Sequence, residues 1–144
     1  MEYLQVPSFD DFRAEQIFKS YCETFPEDER RSEDQFQSLF SNPNVKVFSV
    51  LKDLKNIGYL IIWELSNSVF VEHFEIFSEY RSLKYGSEII ADLFRDYSHI
   101  ILEAEPETLN SDAQRRIDFY KRNGFRIIDE QYIQPSYGEG KSPL

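Results

Sequence analysis

The residues with the clearest chemical potential lie in one stretch: Phe74-Glu75-Ile76-Phe77-Ser78-Glu79-Tyr80-Arg81-Ser82-Leu83-Lys84-Tyr85-Gly86-Ser87-Glu88-Ile89-Ile90. It reads as a strand, a short loop and a helix opening at Gly86-Ser87. The first turn of a helix has unpaired N–H groups and the positive end of the helix dipole, a combination that holds phosphate. Gly86 lets a ligand approach the backbone closely, and Arg81 and Lys84 bring cations beside it. The same spacing also suits a plain strand-to-helix turn with ordinary surface charges. Other chemistries find less support. His73 and His99 lie in strand-like runs without a nucleophile-elbow motif, so a Ser-His-Asp triad is not indicated. Two scattered histidines give no paired metal-ligand spacing. Cys22 has aromatic helix neighbours and no basic partner, so it reads as a buried structural thiol.

These residues sit in a chain of 144, a length that fits a single domain spanning 1–144. Hydrophobic residues make up 41% and aromatics 16%, enough for a packed core and unlike a disordered acidic segment. The formal charge of −10 repels phosphate backbones and argues against a nucleic-acid partner. One cysteine excludes an internal disulfide framework and fits a reducing cytoplasm. The longest apolar run, Tyr59-Leu60-Ile61-Ile62-Trp63, is far short of the roughly 20 residues that span a bilayer. Met1-Glu2-Tyr3-Leu4-Gln5 lacks the features of a secretory signal. The expectation is a cytoplasmic protein without a membrane partner.

The periodicity supplies the elements. Phe9, Phe12, Ile17, Tyr21 and Phe25 recur at helical intervals, with Ser8 as N-cap and Pro26 as stop. Ser32 or Asp34 caps a second helix, which carries Phe36, Leu39 and Phe40 and stops at Asn42-Pro43-Asn44. Strands over 45–51, 58–65 and 69–77 have connections too short for a crossover and form an antiparallel meander. In the third of these, strict alternation turns His73 to the face opposite Glu72. Ile89, Ile90, Leu93, Phe94 and Tyr97 make the stripe of an amphipathic helix over 85–97. A strand over 99–104, a helix over 111–123 ended by Gly124, and a last strand over 125–133 complete the order. The fold class is therefore α/β, a meander followed by strand–helix–strand–helix–strand.

At the strand–loop–helix the chain resembles the GNAT superfamily of acetyl-CoA-dependent N-acetyltransferases. The family motif Arg/Gln-x-x-Gly-x-Gly/Ala corresponds to Arg81-Ser82-Leu83-Lys84-Tyr85-Gly86, and a second motif, Phe-Tyr-x-x-x-Gly-Phe, to Phe119-Tyr120-Lys121-Arg122-Asn123-Gly124-Phe125. The Phe25-Pro26-Glu27-Asp28-Glu29-Arg30-Arg31 run and the Tyr132-Ile133-Gln134-Pro135-Ser136-Tyr137 tail resemble one bacterial branch of the family. Lys84 stands where the first motif glycine is usual. If the backbone there is left-handed, a non-glycine residue costs roughly 1–2 kcal/mol. A charge-assisted contact from Lys84 to phosphate returns roughly 1.5–3 kcal/mol. Family members usually finish with a seventh strand, and the Gly138–Leu144 stretch has little strand character: either the sequence is truncated there or the last strand is left partly unpaired, and in the second case a homodimer contact near Phe125–Ile133 is the expectation.

The resemblance implies transfer of acetyl from acetyl-CoA, a co-substrate used without a metal, to a primary amine of a small molecule or peptide in a ternary complex. Pyrophosphate would lie against Arg81, Ser82, Leu83, Lys84, Tyr85, Gly86 and Ser87. Backbone groups around Phe74, Ile76 and Phe77 would hold the pantetheine arm and oxyanion where two strands splay apart, a splay that periodicity does not foresee. Tyr120 matches the family tyrosine that protonates the departing thiolate; the same position also suits a residue packed beside Ile117. Freeing a lysine-like amine at pH 7 costs about 4.6 kcal/mol, and a carboxylate, directly or through water, could relay that proton. Glu72 matches a common family glutamate. Glu103 and Glu105, two apart and so on one face, are the other candidates. Phe25, Glu29, Arg30 and Trp63 would line the acceptor's entrance. The alternative is a silent acyl-CoA-binding or protein-interaction module on the same fold, which needs neither Tyr120 nor a base.

Overall fold

The Asp53-Leu54 pair turns the chain through a two-residue hairpin with both residues at positive φ (52° and 66°), the geometry that matches the twist of the flanking strands. On either side run β2 (Val45–Lys52) and β3 (Lys55–Leu65), and a second tight turn through Ser66 leads into β4 (Ser68–Ile76). A short N-terminal strand, β1 (Glu2–Gln5), pairs antiparallel with β2, and β5 (His99–Leu102) pairs parallel with β4. The sheet order is β1-β2-β3-β4-β5. The computed structural model describes residues 1–66, 68–104 and 108–128.

Helices cover both faces. On one face lie α1 (Phe12–Thr24) and α2 (Glu33–Leu39), joined through a 3-10 turn at Glu27–Glu29. They bury Ala14, Ile17, Tyr21, Phe36 and Leu39 against Val45, Val47, Tyr59 and Ile61 of the sheet. On the other face α3 (Tyr85–Asp96) buries Ile89 and Leu93 against Leu60, Ile62, Val69 and Val71. Beside it, α4 (Ser111–Arg122) buries Ala113 and Ile117. Among the described residues, no helix is long and apolar enough to cross a membrane.

Three expectations change. The meander has four antiparallel strands, because the four-residue β1 gives too short a pattern to read. Asp11, not Ser8, caps α1, accepting from the Arg13 N–H. Phe125 to Ile128 carries no strand; residues 129–133 of the expected last strand, and the dimer contact placed with it, lie largely outside the described residues. The four expected helices all form, and Ser32 caps α2 in a reciprocal capping box with Gln35.

Candidate active site

The parallel ladder between β4 and β5 is four residues long and ends at the Val71–Leu102 pair. Beyond it, among the described residues, β4 continues alongside β3 alone, from Leu60–Phe74 to Gly58–Ile76. The Phe77 N–H donates to the Ile57 carbonyl at 2.9 Å, which fixes the alternation along this end of β4. His73 and Glu75 direct their backbone groups toward β3, while Phe74 and Ile76 turn theirs toward the open side. Among the described residues the β5 ladder thus stops short of Phe74 and Ile76, whose backbone groups face the side on which the splay is expected. Phe77 does not contribute: its N–H goes to Ile57 and its carbonyl accepts from the Tyr80 N–H. Gly58 permits this close pairing, since a Cβ there would stand 2.2 Å from the Glu75 carbonyl oxygen.

The open edge runs into the loop before α3. Ser82 (φ 70°) and Lys84 (φ 64°) both adopt the left-handed conformation that favours glycine. Lys84 is the N-cap of α3 and provides no side-chain cap. The contrast with α1, α2 and α4 is informative: Asp11, Ser32 and Asn110 each accept a hydrogen bond from their helix's first turn. The N–H groups around Tyr85, Gly86 and Ser87 are left to another acceptor. Arg81 does not point at them. Its Nε donates to the Ile76 carbonyl at 2.9 Å, and its Nη2 lies 3.7 Å from Glu75.

The second motif meets the first at Gly86. A Cβ on Gly86 would stand 3.1 Å from Phe119 Cζ and 3.5 Å from Phe74 Cζ, so α3 starts this close to α4 only because position 86 lacks a side chain. Tyr120, one residue on, shares a small apolar cavity with Val71, Leu102 and Phe74. Val71 and Leu102 are the last ladder pair, so Tyr120 lies near the end of the β4–β5 ladder. Burial pushes its phenol up, partly opposed by the charge of Arg116, and the hydroxyl stays protonated at neutral pH. Gly124 (φ 98°) then reverses the chain, and the Phe125 N–H returns to the Tyr120 carbonyl at 3.0 Å. That turn seats Phe125 on the rings of Tyr120 and Phe94.

The opposite face of β4 is set by a bulge. Ile61 and Ile62 face His73 and Val71, leaving Glu72 as the extra residue. The bulge cancels strict alternation, and Glu72 and His73 lie on the same side, 3.7 Å apart, rather than opposed. The Glu72 carboxylate takes both arms of Arg31 (2.7 and 3.1 Å) and the Trp63 indole N–H (3.1 Å). His73 packs between Tyr21 and Phe25, each ring 4.9 Å away, and burial lowers its pKa to about 4. It is a neutral core histidine at pH 7. Arg30 ties the α1 end by donating to the Phe25 and Cys22 carbonyls, so the 25–31 segment is fastened across the bulge. Glu103 lies exposed just past β5, and Glu105 lies outside the described residues. The structure thus brings Phe74, Ile76, Gly86 and Tyr120 together on one side of β4 and Glu72, Trp63 and Phe25 on the other.

Glu75 was not foreseen. Its carboxylate is buried and accepts from Ser20 and Thr24 of α1. An acid within the apolar strand 69–77, opposite a hydroxyl pair spaced i, i+4, is the signal that could have found it.

The pattern of the Acetyltransferase (GNAT) family matches residues 14–125, and the chain belongs to that family. A curated relative in Bacillus subtilis (strain 168), named "Putative acetyltransferase YjbC", is 26% identical over 110 residues. The match takes in 76% of this chain but only 56% of the relative, so the chain spans little more than half that protein's length. A solved GNAT-family protein from Bacteroides thetaiotaomicron superposes with a TM-score of 0.90 at 27% identity, covering 100% of this chain and 82% of its own. AAC(6')-Iy, solved with the bisubstrate analogue CoA-S-monomethyl-acetylneamine, shares the fold at TM-score 0.59 and 15% identity, covering 91% of this chain and 97% of its own.

Proposed function

We propose that this chain, as one domain in the cytoplasm, transfers the acetyl group of acetyl-CoA to a primary amine of a small molecule or peptide. The observation that carries the reading is the ladder ending at Val71–Leu102, which leaves the Phe74–Ile76 edge open, in line with an uncapped helix start and with Tyr120 near the ladder's end. The residues fit the coenzyme. The outward backbone groups of Phe74 and the outward N–H of Ile76 suit the amides of a pantetheine arm, and the bare first turn of α3 suits a diphosphate. The CoA-derived ligand of AAC(6')-Iy, bound on the same fold, supports the donor.

In this reading Ser82, Leu83, Lys84, Tyr85, Gly86 and Ser87 hold the phosphates, with Lys84 supplying a charge. Tyr120 gives its proton to the departing thiolate. A phenol near pKa 10 donating to a thiolate near 8.5 works uphill by roughly 2 kcal/mol, and burial adds to that; position compensates, since placed acids contribute about 10²–10⁴-fold. The amine enters from the other face, past Phe25 and Trp63. Its proton leaves through water toward Glu72, whose own oxygens are engaged by Arg31 and Trp63; Glu103 and Glu105 are the alternative acceptors.

Tyr120→Phe lowers turnover about 100-fold and leaves CoA binding unchanged; full turnover in this variant would remove Tyr120 from the mechanism. The donor and acceptor are tested by thiol release from acetyl-CoA across polyamines, aminoglycosides, amino acids and peptides. The Arg31–Glu72 pair favours one second reading, a silent acyl-CoA-binding module. CoA binding with no thiol release from any amine would select it.

A further inference from the structure

Across the sheet on the α1 face, Ser49 of β2 stands opposite Tyr59 of β3, and Tyr59 opposite Glu75 of β4. All three are buried, and the two hydroxyls and Glu75 Oε2 lack a hydrogen bond of good geometry among the described residues. Burial, and secondarily the neighbouring Glu75 charge, pushes the Tyr59 phenol well up, so it faces the carboxylate as a neutral hydroxyl. Glu75 Oε1 accepts from Ser20 at 2.8 Å and Thr24 at 2.9 Å, one turn apart on α1. Its ion pair is with Arg81, at 3.7 Å, and the same guanidinium donates to the Ile76 carbonyl. Ser20 and Thr24 would be satisfied by an amide oxygen as well as by a carboxylate. Among the described residues, Arg81 is the cation paired with this buried carboxylate, and an uncompensated charge there is costly.

Glu75 lies directly behind the strand edge formed by its neighbours Phe74 and Ile76. We propose that Glu75 is a positioning residue for coenzyme binding: from the core side of β4 it holds Arg81 on the Ile76 carbonyl. That contact fixes the turn between the strand edge and the first turn of α3 at a spacing where one ligand engages both. The inference rests on the coenzyme reading above.

Calorimetric titration with CoA of the parent, Glu75→Gln, Arg81→Gln and the double variant tests it. Glu75→Gln weakens CoA by about two- to fivefold, the scale of a partly exposed ion pair. Arg81→Gln weakens it at least as much, and the double variant is no weaker than Arg81→Gln alone. The KM for acetyl-CoA rises while kcat at saturation is unchanged. Additive losses in the double variant, or parental affinity in Glu75→Gln, overturn the proposal. Should Glu75→Gln not fold, Glu75→Asp, which keeps the charge and shortens its reach, replaces it with the same expected loss and the same dependence on Arg81. A parent that binds no CoA overturns the coenzyme reading itself; a parent that binds with Glu75→Gln unchanged overturns this inference alone.

Discussion

Lys84 enters α3 at φ 64° with no cap from its side chain, so its presence combines a backbone cost with a charge at the loop. For a non-glycine residue the left-handed conformation costs roughly 1–2 kcal/mol. Lys84→Gly removes that strain, but glycine loses more freedom on folding, roughly 0.5–1 kcal/mol. The difference makes the variant more stable without ligand by about 0.5–1 kcal/mol, which raises the melting temperature of a chain this size by roughly 1–4 °C. With coenzyme the sign reverses. Losing a charge-assisted contact worth roughly 1.5–3 kcal/mol weakens CoA by roughly 10- to 150-fold. Thermal melts of parent and variant, alone and at a CoA concentration about 100 times the parent's Kd, make the crossing visible: the parent gains about 2.7 kcal/mol and the variant far less. An unliganded variant that melts below the parent refutes the strain argument. A variant that binds CoA as tightly as the parent refutes a phosphate-contacting Lys84.

Two further outcomes follow from packing and burial. Gly86→Ala places a methyl 3.1 Å from Phe119 Cζ; overpacking of roughly 1–3 kcal/mol exceeds the helix gain of roughly 0.5–1 kcal/mol. The variant melts lower and binds CoA more weakly, and Gly86→Ala with Phe119→Leu recovers both; a higher melting temperature in the single variant contradicts the contact. His73 is held neutral by burial, its pKa lowered from 6.5 to about 4, with Glu72 opposing and Arg31 assisting the shift. The unfolded chain therefore binds this proton first, so the contribution is complete above about pH 6.5 and falls away toward pH 4. Denaturant titrations at pH 7 and pH 5 should show the parent losing about 2 kcal/mol more than His73→Gln; equal losses in both proteins would refute a buried neutral His73.

Much of this architecture was legible because it rests on periodicity. Ile89, Ile90 and Leu93 are the buried stripe of α3, and the short connections at 53–54 and 66–68 forced antiparallel pairing. The site was legible only as motifs. Sequence spacing places Gly86 and Phe119 thirty-three positions apart and contains nothing about their contact, which is a property of helix packing. The bulge at Glu72 was illegible for a different reason: one inserted residue changes which face each neighbour occupies without altering composition. That is why Glu72 and His73 were expected on opposite faces and lie on the same one. Arg81 was read as a cation for the phosphates, whereas its Nε is bonded to the carbonyl of Ile76, five residues back. A side chain long enough to reach several acceptors has no unique partner in sequence.

The four-rung junction of β4 and β5 also leaves the molecule a built-in reporter. The amide protons of Phe74 and Ile76 point away from β3 with no strand beyond them among the described residues, so their exchange with deuterium should outpace that of His73 and Glu75 next door, which face β3. Any compound that lies along this margin slows just the first pair. The odd–even pattern of isotope uptake along these four consecutive residues therefore registers occupancy of the cleft whatever compound fills it.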